Sequence, residues 1–253
     1  MLSQSEKLSK TSKLEEKKRI LSLPELERPR TVRLKFRKVG SLQYISHLDL
    51  QRTFMRVLTR ACLPVWYTKG FNPHAKLVFS TPLSVGAQSE YEFLDLRIDR
   101  EMSPQEIMTR LNRELTEELQ ITEAYLPKSD FSEIAWATYE IVICTENSSI
   151  ELAEKMRQTL TNAPLLLTKR TKAGEKEIDI VPLIHEVEIK FNENDATLRM
   201  NATLSATTGE FLNPEMLITA LKRECGILSG NPMEEWYTIL HTSVMNADFT
   251  KFR

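Results

Sequence analysis

Two short stretches hold the residue types best able to do chemistry: Tyr44-Ile45-Ser46-His47-Leu48-Asp49 and Tyr67-Thr68-Lys69-Gly70-Phe71-Asn72-Pro73-His74. The first reads as a strand-to-helix junction, where backbone N–H groups not yet used by the helix attract an anion. The second is rich in chain breakers, Gly70 and Asn72-Pro73, and reads as a loop. Folded over the helix start, that loop brings Tyr44, His47, Lys69 and His74 together. Such a set suits phosphate binding or general acid–base cleavage of a phosphodiester, with His47 and His74 as the candidate bases. Part of the set has a plainer explanation, because Ser46 and Asp49 are accounted for by helix capping alone. His185 and His241 fall in strand patterns without carboxylates at ligand spacing and read as structural. No metal site or bound cofactor is expected, and the common nucleotide, zinc and hydrolase signatures are absent.

The surrounding charge favours a polyanion. The 253 residues carry a net charge of -1, but the total conceals a division. Residues 31–80 hold nine basic groups and the single acid Asp49, a net +8, whereas 81–127 and 128–253 each sum to -6. Arg52, Arg56 and Arg60 recur every four residues and form a stripe on one helix face. Arg33, Lys35 and Arg37 alternate with Val32, Leu34 and Phe36, so the period of two directs them outward. Interleaved Tyr44, Trp66, Tyr67 and Phe71 are able to stack on unpaired bases, while the cations neutralise phosphates. The basic, glycine-containing stretch around Lys172 is a second candidate for contact with a nucleic-acid backbone.

The elements that must position these residues follow from periodicity and caps. VRLKFRKV is a strand, and Ser46 caps a helix whose apolar stripe is Leu50, Phe54, Val57, Leu58 and Ala61. LPVWY, AKLVFST and EYEFLDLRI read as strands, Ser103-Pro104 starts a second helix, and LQITEAYL returns as a strand. The order β-α-β-(β)-β-α-β recurs from WATYEIVICT, with a helix capped by Ser148-Ser149-Ile150-Glu151 and another started by Asn213-Pro214. The expected fold is α+β, two tandem ferredoxin-like (βαββαβ-type) sandwiches. The expected division is a flexible charged tail over 1–30, a domain over 31–127, a linker over 128–135 and a domain over 136–253.

Other classes are excluded by composition. Hydrophobic residues make up 41% and charged residues 27%, the balance of a water-soluble globular chain. No apolar run spans a membrane, and the charged N-terminal stretch has no leader-like apolar core. Cys62, Cys144 and Cys225 are too scattered for a disulfide framework and read as buried thiols in a reducing cytoplasm.

The run SLQYISHLDLQRTFMRVLTRACLPVWYTKGFNPHAKLVFSTPLSVGAQSEYEFLDL resembles the bacterial radical-SAM-linked family, whose function is unassigned. The resemblance is strong over 32–127, carried by Ser46-His47-Leu48-Asp49, Gly70-Phe71-Asn72-Pro73-His74, Pro82-Leu83, Val85-Gly86 and Glu90. It is weaker over 136–253, where Lys172, Gly174 and Asp179-Ile180-Val181-Pro182 match best. The resemblance implies association with a radical S-adenosylmethionine enzyme, not possession of one, since three isolated cysteines cannot form the cluster-binding triplet. At fold level only, the element order also resembles the tandem ferredoxin-like endonucleases that process CRISPR repeat RNA. Those use a histidine acid–base step and a C-terminal glycine-rich loop, for which Gly226-Ile227-Leu228-Ser229-Gly230 is a poor stand-in.

The leading expectation is therefore a cytoplasmic, non-catalytic module that binds RNA (tRNA or rRNA) or presents a substrate to a radical S-adenosylmethionine enzyme. Its contacts would be Arg33, Lys35, Tyr44, Ser46, His47, Arg52, Arg56, Arg60, Tyr67, Lys69, Gly70, Phe71, Asn72, His74 and Lys172. The alternatives are a metal-independent RNA-processing or RNA-modifying enzyme using His47 or His74, and a protein-interaction subunit of a radical enzyme.

Overall fold

A computed structural model describes residues 4–81, 83–162, 164–171 and 174–253. It is a mixed α+β protein with five α-helices and mostly antiparallel strands among the described residues. No described helix is long and apolar enough to cross a membrane. The chain divides into two compact units, Met1–Val85 with Glu92–Lys128 and Gly86–Tyr91 with Ser129–Arg253.

The first unit contains α1 (Gln4–Leu21), β1 (Glu25–Lys38), α2 (His47–Arg60), β2 (Leu77–Phe79), the larger part of β3 (Ala87–Arg100), α3 (Pro104–Asn112) and β4 (Ile121–Tyr125). Its strands lie in the order β4-β1-β3-β2. Residues of period two on β1 and β3 form the floor of the core: Val32, Leu34 and Phe36 beside Leu94, Leu96 and Ile98, all fully buried. The stripe Leu50, Phe54, Val57 and Leu58 of α2 packs on that floor, joined by Ile107 and Leu111 of α3. Phe36 and Phe54 meet edge to face with centroids 5.1 Å apart. Each such buried side chain is worth about 1.5–3 kcal/mol relative to exposure.

Local signals set the helix starts. Ser46 Oγ accepts the Asp49 N–H and Ser103 Oγ accepts the Glu106 N–H, each satisfying a donor that the helix leaves open. Pro104 stands at the first position of α3, where its missing N–H costs nothing.

Three expectations for this unit need correction. Where a charged tail is expected over 1–30, the structure has α1 followed by β1, which begins at Glu25. The only deeply buried α1 side chain described is Ile20, and charge supplies the remaining contacts with α3 and the turn after it: Lys13–Glu114, Arg19–Glu106 and Glu16–Arg110. The described part of α1, with one buried apolar residue and these ion pairs, carries no apolar stripe for sequence to display. LPVWY forms two isolated bridges, Val65–Ile98 and Tyr67–Ala75, instead of a strand. Finally, Arg33 and Lys35 do not point to open solvent; they are buried and half-buried against acids of β3 and β4.

The second unit contains β5 (Ile134–Cys144), α4 (Ile150–Thr161), β6 (Leu166–Thr171), β7 (Gly174–Asp179), β8 (Ile184–Asn192), β9 (Thr197–Ser205), α5 (Glu215–Cys225) and β10 (Trp236–Asn246). Its main strands lie in the order β10-β5-β9-β8, every pair antiparallel, with β6-β7 a separate hairpin. The first residues of β3 also belong here, Ala87–Ser89 running parallel to Ile239–His241 of β10. Setting β6 and β7 aside, both units thus place their last strand beside the first, then the third, then the second.

Ser149 caps α4, Asn213 Oδ1 accepts the Glu215 N–H at the start of α5, and Gly226 at φ 74° closes that helix. His241 is fully buried, with Nε2 donating to Ser243 O (3.1 Å) and Nδ1 within hydrogen-bond reach of the Ser89 hydroxyl (3.1 Å). His185 is exposed, its ring 4.2 Å from that of Phe249 and 5.2 Å from that of Trp136. The three cysteines are free and half-buried, not fully buried as expected.

Candidate functional site

The loop between the two bridged residues Tyr67 and Ala75 is a tight projection clamped at its base. The Thr68 N–H donates to His74 O (3.0 Å), and the His74 N–H donates back to Thr68 Oγ1 (3.1 Å). His74 Nδ1 lies 3.1 Å from Asn72 O, a carbonyl that only accepts, so Nδ1 carries a proton. Gly70 has φ 143°, a conformation that side-chain-bearing residues rarely adopt, and it turns the chain at the tip. The result is Phe71 standing fully exposed, with Lys69, Asn72 and His74 exposed around it and Tyr67 half-exposed at the base.

The start of α2 builds a different feature. Ser46 Oγ donates to Asp49 Oδ2 (2.7 Å) and also accepts the Asp49 N–H; these contacts, with Arg52, hold the Asp49 carboxyl below its usual range. A carboxylate therefore already occupies the end of the helix dipole that an anion would seek. His47, the first helical residue, is exposed and sets its ring edge-on to Phe79 at 4.9 Å. Beside it is a crevice of about 10 Å³, room for one water molecule, lined by Lys38, Ser46, His47, Phe79, Thr81 and Glu92 among others.

Lys38 and Glu92 are the residues here that pattern reading passed over. Both are buried, at 2% and 3% exposure, and Lys38 Nζ donates to Gln43 O (3.3 Å). Burial pushes the Lys38 ammonium below its usual range, and the charge of Glu92 opposes that shift. A signal existed: Lys38 continues the apolar face Val32-Leu34-Phe36, and Glu92 continues the face Leu94-Leu96-Ile98. An ionisable residue in phase with a core face is buried by its neighbours whatever its own preference.

Among the described residues no hydrogen bond or ring contact joins the two stretches: His47 sits against Phe79, while His74 is bonded within its own loop to Thr68 and Asn72. The crevice that His47 lines does not include His74. Tyr44, 69% exposed, ends a short 3-10 turn (Gly40–Tyr44) before α2.

The basic block is largely paired. Arg33, at 1% exposure, makes a two-pronged bond to Asp95 through Nε (2.7 Å) and Nη2 (2.8 Å). Lys35 reaches Glu123 (3.2 Å), Arg60 reaches Glu114 (3.0 Å), and Arg52 reaches Asp49 (3.3 Å). Arg37 donates to the Glu117 carbonyl. Three of the acids come from the stretch 81–127, so the acidic segment neutralises the basic one within the unit. Arg56, Lys69 and Lys76 are exposed and make no ion pair among the described residues. Lys172, proposed as a second contact, and Pro82 lie outside the described residues.

No metal-binding group of three or more His, Cys, Asp or Glu occurs among the described residues. No curated protein matches the sequence. A crystal structure of an unknown protein from Galdieria sulphuraria aligns over 85% of this chain and 99% of its own, at 11% identity and a TM-score of 0.25, too low to assign a fold. A family model described as an uncharacterized protein conserved in bacteria (DUF2344) matches residues 31–214, which include both the Phe71 loop and the start of α2. The chain belongs to that family.

Proposed function

We propose that this protein is a non-catalytic RNA-binding module that presents a substrate to a radical S-adenosylmethionine enzyme. The observation that carries the binding half is Phe71: a fully exposed aromatic on a clamped loop, with the unpaired cations Lys69 and Lys76 close in sequence. Leaving a phenylalanine in water forgoes about 1.5–3 kcal/mol of burial, which a partner ring recovers. An unpaired base stacks on such a ring while lysines meet the adjoining phosphates. Tyr67, at the base of the loop, offers a second flat surface. The strand order shared by the two units, last-first-third-second with antiparallel pairing, supports reading each as a ferredoxin-like sandwich. The radical-enzyme half rests on the family resemblance of residues 32–127 together with three separated cysteines.

The test is a fluorescence-anisotropy titration of labelled single-stranded RNA and of tRNA. Phe71→Ala is expected to weaken binding by about tenfold, the loss of one stacked base. Lys69→Glu with Lys76→Glu is expected to lower both affinity and its salt dependence. Affinity unchanged in both variants refutes the reading.

A second reading, a protein-interaction subunit, is favoured by the exposed apolar residues Tyr44 and Leu48 flanking the start of α2 and by the internal pairing of much of the arginine stripe. Recovery of a radical enzyme after nuclease treatment, lost in Leu48→Glu, would support it.

A further inference from the structure

Within the first unit, α1 closes one side of a cavity of about 300 Å³, the lower end of the range for small-molecule sites. Its walls are mainly apolar: Ile20 from α1, Leu58 from α2 and Val65 from the bridged segment, with Tyr67 also lining it. Into this apolar surrounding comes one carboxylate, Asp99 near the end of β3. The Asp99 backbone N–H is taken by Pro64 O (3.0 Å), but no side chain among the described residues bonds its carboxylate. Burial pushes the Asp99 carboxyl above its usual range, opposed by the nearby Arg100. That guanidinium is itself occupied, donating to Leu23 O (3.0 Å) and Glu25 (2.7 Å). The Tyr67 hydroxyl likewise has no partner among the described residues.

The Asp99 carboxylate at the wall of this cavity is met by its own backbone N–H and by no side-chain donor, and an aromatic residue, Tyr67, lines the same cavity. We infer that this cavity is a binding site for a small organic amine, its apolar body against Ile20, Leu58 and Val65 and its ammonium directed to Asp99. The proposal does not require RNA binding by the Phe71 loop, although the two share Tyr67; Asp99→Asn, outside that loop, separates them. Two cations that line the cavity oppose the proposal: Arg100, which is held by Leu23 O and Glu25, and Lys17 of α1, which has no ion pair among the described residues. If Lys17 dominated, the site would select an organic acid instead.

The charge choice is tested on the full chain with three probes of one shape: phenethylamine, 2-phenylethanol and 3-phenylpropionate. Isothermal titration calorimetry and amide chemical-shift mapping at neutral pH are expected to show saturable binding of the amine. The perturbed amides would be those of Thr59, Tyr67 and Asp99. The alcohol should bind at least tenfold more weakly, and the acid should bind more weakly still. Asp99→Asn, which removes a charge that folding already disfavours, is expected to abolish the preference for amine over alcohol while keeping the fold. Tyr67→Ala, at a half-exposed position, is expected to weaken the amine by about tenfold. Failure of the amine to bind, equal binding of all three probes, preference for the acid, or unchanged selectivity in Asp99→Asn each overturns the inference.

Discussion

Removing the Asp95 carboxylate is the sharpest test of how the first unit is held together. Arg33 lies on the central strand β1 at 1% exposure, and Asp95 on β3 holds it with two bonds of 2.7 and 2.8 Å, itself only 17% exposed. In Asp95→Ala the guanidinium stays buried between packed strands after losing both bonds to this carboxylate. Breaking a buried pair in this way costs about 3–5 kcal/mol. That is a large part of the roughly 5–15 kcal/mol by which a domain is stable, and it corresponds to a fall in Tm of roughly 10 °C for a chain of this size. Replacing both partners, Arg33→Met with Asp95→Leu, removes the desolvation cost along with the attraction and should recover most of the loss. Urea denaturation of the parent, the single variant and the double variant measures all three. A single variant within 1 kcal/mol of the parent, or a double variant no better than the single, refutes the argument that burial makes this pair expensive to break.

Other consequences follow from local geometry. Gly40→Ala should destabilise by about 1–2 kcal/mol in thermal melts, because φ is 60° and the new Cβ would lie 2.1 Å from Glu118 Oε1. Ser46→Ala should cost about 1 kcal/mol through loss of the α2 cap, read from the same melts. The Ser41 backbone N–H, and then its hydroxyl, hold the Glu118 carboxyl below its usual range. That contribution is present above the unfolded carboxylate pKa and is lost as pH falls through the lower folded value; Glu118→Gln should flatten this part of the acid-denaturation curve. Tyr237 is pushed up to about 12 by burial and by its bond to Glu215. Its contribution is complete below the unfolded pKa near 10 and is lost as pH rises through about 12; ultraviolet titration should show a late phenol that moves earlier in Glu215→Gln.

The helices whose caps and apolar faces are adjacent in sequence were legible. Ser46, Ser103 and Ser149 begin α2, α3 and α4 as read, because a cap joins atoms three residues apart. The buried stripe Leu50, Phe54, Val57 and Leu58 likewise follows from one helical period. The alternation of β1 identified one face of that strand but misjudged the other. A period of two says that Arg33 and Lys35 face away from Val32 and Leu34; it cannot say whether water or protein lies on that side. The same blindness hid α1, whose partners Glu106, Arg110 and Glu114 are about ninety residues away or more.

For the site, sequence alone determined the composition of the two motif-bearing stretches, the turn that presents Phe71 and the cap at Ser46. These depend on interactions within a few residues. Only the tertiary structure decided that His47 packs on Phe79, that Lys38 and Glu92 are buried together near the start of α2, and that much of the +8 block is already spent. Charge adds along a sequence regardless of distance, but its field depends on which opposite charges fold within a few ångströms. Asp95, Glu114 and Glu123 are distant in the chain and adjacent in space, so the basic block becomes a mostly neutral framework carrying a few free cations around one exposed ring.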